Sequence, residues 1–186
     1  MESRVEKAAE RKMCGYNCAQ AVACTYCDLA GIDEETARNL TQGFAVGIGG
    51  SMEATCGAVI GAVNVLGLIN KNPQKTMQGS RRIIQSFKEQ NRTVICKELK
   101  GINDGIVKRE CIDCVFTGSR ITGNVIRSYN RQEENNMKRV FLATVLCVVN
   151  AVGLCACQGH NNGASTQNMQ ERDFADMTEG YARRNR

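Results

Sequence analysis

The chain has 186 residues, 42% of them apolar and 23% charged, enough for one ordinary domain with a buried core. Its net charge of +5 is thinly spread, with 18 basic and 15 acidic residues before Met137 and 6 and 4 from there on. That scatter, with no Trp and only four Tyr and five Phe to stack on bases, argues against nucleic acid as a partner.

Taken in chain order, the pattern is helical. Val5, Ala8, Ala9 and Met13 recur at helical spacing, Gly15 interrupts, and a second helix is expected from about Asn17 to Leu29. Asp33 is an N-cap for a helix over 34–40, with Glu34 and Glu35 in its first turn. Gly43 to Gly50 holds four glycines in eight residues and predicts a loop that brings backbone close to something. An apolar helix is expected over 53–69, and Asn72-Pro73 starts another running to about Gln90. A last helix covers roughly 107–129. Gly57 and Gly61, with Ala58 and Ala62, form short-residue rows that admit either a neighbouring helix or a cofactor lying against Cys56. The charged side chains Glu53, Asp113, Asp33, Lys12, Arg81 and Arg82 read as helix ends and solvated faces.

Cysteine carries the chemistry. Eight of the eleven precede Met137, and the N-terminal Met1-Glu-Ser-Arg-Val-Glu-Lys has no apolar stretch of the kind a secretory signal needs. A reducing cytoplasm is therefore expected, where clustered cysteines act as metal ligands or redox thiols. The single histidine is His160, so the first 136 residues can build neither a Cys/His or Ser/His/Asp nucleophile system nor a Cys2His2 zinc site. Cys18, Cys56, Cys96 and Cys111 fall on four separate segments and match the ligand count of an iron-sulfur centre. Cys111-Ile-Asp-Cys114 is a dithiol at an expected helix start, where the dipole lowers a thiol pKa. Zinc held by the Cys24/Cys27 and Cys111/Cys114 pairs is the alternative.

Around these cysteines the segments Gly15-Tyr-Asn-Cys18-Ala-Gln-Ala-Val22, Thr55-Cys-Gly-Ala-Val-Ile-Gly61, Cys96-Lys-Glu-Leu99, and Cys111 with Val115 stand in order. Over about residues 8–127 the chain resembles the redox-active family named for its C-GCAxxG-C-C pattern. The resemblance implies a helical domain whose four cysteines are redox-active, served by a redox partner protein or a transporter component. A related domain joined to haem cytochromes implies an iron-sulfur cluster in the cysteine pocket. Cys14, Cys24, Cys27 and Cys114 stand outside that pattern.

From Met137 the text changes: Met-Lys-Arg, a nearly unbroken apolar run from Val140 to Leu154, then Cys155-Ala-Cys157 and a polar stretch. These are the parts of a bacterial lipoprotein signal, with Cys157 in the lipidated position, and the segment reads as a second reading frame joined to the first, as a membrane attachment over 138–157, or, least of the three, as a helix buried in the domain. The expected organisation is a compact all-α, multi-helix cysteine-rich domain over 1–130, a linker over 131–136, the signal-like apolar helix over 137–157 and a disordered tail over 158–186. The expected function is electron transfer or redox sensing through an iron-sulfur cluster on Cys18, Cys56, Cys96 and Cys111, with Cys114 as substitute and Gly57 and Gly61 against the cofactor. A zinc-bound or metal-free interaction domain is the alternative. Localisation is expected to be cytoplasmic, with membrane association and a homo-oligomer as open possibilities.

Overall fold

The computed structural model describes residues 4–153, with side-chain surroundings through residue 144. The described residues are all-helical: α1 Val5–Met13, α2 Cys18–Thr25, α3 Cys27–Ala30, α4 Glu34–Thr41, α5 Gly57–Asn70, α6 Pro73–Asn91, α7 Cys96–Leu99 and α8 Cys111–Gly153. The chain divides into two compact units, Met1–Lys138 and Arg139–Arg186.

Local chemistry sets the helix ends in the first unit. Gly15, at φ +91°, breaks the chain after α1, so Cys14 and Cys18 share no helical face. Asn17 opens α2 with a capping box: its side chain accepts from the Ala19 and Gln20 amides, and Gln20 reaches back to the Asn17 amide. Gly31 in the left-handed region closes α3, Asp33 caps α4 through the Thr36 amide, and Asn72 with Pro73 starts α6. α5 begins at Gly57, four residues later than the sequence suggests. Residues 52–56 instead pair with 94–97 through backbone hydrogen bonds: the Cys56 amide donates to Val94 O at 2.7 Å and the Cys96 amide to Ala54 O at 3.0 Å.

α5 is the apolar centre of the unit, packed against α2, α3 and α6. Val22, Val59, Val65, Leu66, Ile83, Phe87 and Val115 are fully buried there, each contributing about 1.5 to 3 kcal/mol relative to exposure. Two glycines permit the close crossing of α2 and α5. A Cβ on Gly61 would lie 2.4 Å from Ala19 O, and one on Gly57 would lie 2.8 Å from Phe44 O and 3.3 Å from Cys18 Cβ. The neighbour of Gly61 is thus a helix rather than a cofactor. α8 closes the core with Val115, Ile121, Ile126 and Tyr129; the Tyr26 hydroxyl donates to Ser119 O and the Tyr129 hydroxyl to Lys75 O, both at 2.8 Å.

α8 runs without a break through 131–136, where a linker was expected. Residues 130–136 hold no Gly or Pro to stop a helix, and Lys138 pairs with Glu134 one turn away. In the second unit Val140, Phe141 and Leu142 are exposed. Among the described residues no helix is long and apolar enough to cross a membrane. Cys157, the expected lipidation site, and the tail over 158–186 lie outside the described residues.

Candidate redox site

The four pattern cysteines share one local position: each stands at a helix start. Cys18 opens α2, Cys56 is the N-cap of α5, Cys96 opens α7 and Cys111 opens α8. The starts of α2, α5 and α8 are thereby turned on one small cavity, lined by Cys18, Cys56, Cys96, Cys111 and Cys114. Helix N-termini carry partial positive charge, so their convergence favours anionic sulfur. Gly57 stands on the cavity wall, and the Gly57 to Ala19 approach holds Cys18 beside Cys56. The pairing of 52–56 with 94–97 brings Cys96 to the same place.

The glycine-rich loop supplies the remaining wall. Val46, Gly47, Ile48, Gly49 and Gly50 are consecutive residues in the left-handed region, with φ from 47° to 78°. For the β-branched Val46 and Ile48 this costs about 1 to 2 kcal/mol each, and it brings Val46 onto the cavity. The close approach the sequence pointed to is here: a Cβ on Gly47 would lie 2.8 Å from Cys96 Cβ.

Within the cavity the sulfurs are not equivalent. Cys18 and Cys111 lie within hydrogen-bonding reach of each other, and Lys100 stands beside Cys111. The Cys18 hydrogen bond first, then Lys100 and the charge of Lys12, pull the Cys111 thiol down to about 5 against its burial. The same hydrogen bond, with burial, pushes Cys18 far above the ordinary thiol range. The pair thus favours the proton on Cys18 and the charge on Cys111. Cys114 lies within hydrogen-bonding reach of Cys56, and that contact together with burial pushes Cys56 up. Cys96 is pushed up to about 11, mainly by burial. Cys18, Cys56, Cys96 and Cys114 are buried and Cys111 is half-buried, so Cys111 is the most accessible of the five.

The structure brings the cysteines named from the sequence onto one cavity, and sequence reasoning missed the cations beside them. Lys100 lies four residues after Cys96, one helical turn away, which was a readable signal. Lys12 read as a solvated residue, yet it is half-buried, donates to Tyr16 O at 3.3 Å and faces the Cys18–Cys111 pair. Asp113 is exposed and Glu53 is spent in an ion pair with Lys97 at 2.5 Å. Cys24 and Cys27 pack in a separate cluster with Ala37, Tyr16 and Ile32, so a zinc site joining them to Cys111 and Cys114 does not form.

The donor set suits a soft metal or an iron-sulfur cluster in chemistry, being rich in thiols and free of imidazole. Its arrangement does not fit one. Among the described residues no group of three or more Cys, His, Asp or Glu side chains is disposed to hold a metal ion. The enclosed room for a water-sized sphere is about 10 Å³, which corresponds to roughly a single water. The sulfurs stand as two neighbouring pairs, Cys18 beside Cys111 and Cys56 beside Cys114.

Comparison with curated proteins and with solved structures finds no match. The family model described as "Putative redox-active protein (C_GCAxxG_C_C)" matches residues 16–125, more than half of the chain and all four pattern cysteines. The chain therefore belongs to the C_GCAxxG_C_C family.

Proposed function

We propose that this domain is a thiol redox module in which Cys18 and Cys111 cycle between a dithiol and a disulfide. The observation that carries the reading is the pair itself: buried Cys18 and half-buried Cys111 meet on one cavity, and Lys100, Lys12 and the start of α8 favour negative charge on Cys111. A thiolate is the nucleophile of disulfide exchange, and the adjacent thiol is placed to resolve a mixed disulfide. Oxidation joins the two sulfurs, removes two electrons and releases the proton on Cys18. Cys56–Cys114 stands behind as a second pair, buried and more resistant to attack.

A second reading rests on the five-sulfur lining: an iron-sulfur cluster, or zinc, held by Cys18, Cys56, Cys96 and Cys111, with Cys114 as a fifth donor, once the side chains spread apart. Metal and thiol analysis of the full chain, purified anaerobically with cluster assembly intact, separates the two. The thiol module gives a colourless protein with eleven titratable thiols that falls by two after one equivalent of a mild oxidant such as diamide. A brown protein with acid-labile sulfide, or stoichiometric zinc, gives the answer to the second reading.

A further inference from the structure

The rim of the cysteine cavity carries a feature that the thiol pair does not use. Arg109 lines the cavity and also two surface grooves beside it. One groove, of about 300 Å³, is formed by Gln90, Asn91, Arg92, Ile106, Lys108 and Arg109. The other, of about 350 Å³, adds Asp113, Phe116, Thr117 and Arg120 to Gln90 and Arg109. Each reaches the lower size limit of a small-molecule site, and together they run past one residue, Arg109, to the cysteines.

The grooves are cationic and anchored. The Lys108 and Arg109 amides both donate to Leu99 O, at 2.9 and 3.1 Å, which fixes this stretch of backbone one turn after Cys96. Arg109 Nη2 donates to Gln90 O at 3.2 Å and Arg120 donates to the Gln90 side chain, so both guanidinium groups are held on the groove. Lys108 pairs with Asp104 at 2.9 Å. Asp113 is the carboxylate within the linings, set against Arg92, Lys108, Arg109 and Arg120. Asn91, 2% exposed, donates through Nδ2 to Phe87 O at 2.9 Å, and its Oδ1 has no hydrogen-bond partner. The first groove thus presents Arg92, Lys108 and Arg109 together, a set suited to a ligand that bears carboxylates.

We infer that the Arg109 grooves bind the carboxylate arms of a low-molecular-mass disulfide, presenting its S–S bond to Cys111. The inference rests on the thiol reading above. In the first step the Cys111 thiolate attacks one sulfur of the disulfide; the Cys111–S bond forms, the S–S bond breaks and one thiolate leaves. In the second, Cys18 gives up its proton and attacks Cys111 Sγ, forming the Cys18–Cys111 disulfide and expelling the second thiolate. The protein pair loses two electrons and the small disulfide gains them, ending as two thiols after protonation from water.

The test follows oxidation of the reduced full chain by three disulfides of different charge: oxidised glutathione, which is anionic with peptide N–H groups, neutral 2-hydroxyethyl disulfide, and cationic cystamine. At low salt the glutathione rate is expected to exceed the cystamine rate by about tenfold or more, and the gap to close at high ionic strength. Arg109→Ala should move the anionic-to-neutral rate ratio toward one, and the salt series on the unaltered protein gives the same information without a variant. Equal rates for all three, or cystamine fastest, would overturn the inference while leaving the thiol reading standing. No oxidation by any of them, with the thiols shown free by alkylation, would overturn both.

Discussion

Cys111 is separated from an ordinary thiol by its neighbours, and each can be removed on its own. The hydrogen bond from Cys18 is the largest influence, followed on the same side by Lys100, with burial acting against them. Because the folded pKa is depressed, the thiolate predominates above about pH 5 and is lost as the pH falls below it. In a Cys14→Ser background, which removes the exposed thiol among the described residues, iodoacetamide should label Cys111 ahead of the buried cysteines of the first unit, with a midpoint near that value. Lys100→Met should raise the midpoint, and Cys18→Ala should raise it further, since it deletes the larger influence. Peptide mass mapping over pH 4 to 9 provides the check. A midpoint near the ordinary thiol value of about 8.5 in the parent would show that Cys111 is not held as a thiolate.

At the scale of elements, the site depends on how closely α2 and α5 approach. A methyl group at Gly61 would stand 2.4 Å from Ala19 O, a contact that only a shift of backbone could relieve. Gly61→Ala should therefore destabilise the domain by about 1 to 3 kcal/mol and loosen Cys18 from its partner, seen as a lower urea midpoint together with a raised Cys111 labelling midpoint. Asn17→Ala removes the α2 capping box and should cost about 1 kcal/mol. A Gly61→Ala protein of parental stability would mean that the two helices do not cross at this contact. Much of this scale was legible in the sequence. Asn17, Asp33 and Asn72-Pro73 mark helix ends through local hydrogen bonding, and the structure uses them so. The rows containing Gly57 and Gly61 announced a close approach but not its partner, because which surface meets a glycine is a tertiary fact. The start of α5 was misjudged for the same reason. Residues 53–56 pair with a segment some forty residues downstream, and no local pattern records that.

For the whole molecule, the sequence could show that four cysteines lie on four segments, and the family pattern that they belong together. It could not show which sulfurs pair, nor that Lys12 faces them, because that follows from how α1, α2 and α8 meet. The packed core ends near Tyr129, and the last recorded ion pair from α8 to another helix of the first unit is Lys75–Glu133 at 2.5 Å. A chain ended after Lys138 should accordingly keep its melting temperature within error and retain the low Cys111 midpoint, since the core contacts lie before that point. Calorimetry of the two lengths gives the comparison, and a fall of ten degrees would place residues beyond 138 in the stabilising core.

The most direct measurement is a redox titration of the anaerobically purified full chain, equilibrated in buffers of stepped thiol–disulfide potential, quenched by alkylation and mapped by peptide mass. The account predicts one two-electron transition in which Cys18 and Cys111 become linked to each other before Cys56 and Cys114 are affected. Failure of Cys18 and Cys111 to link at any potential that leaves the fold intact would contradict it.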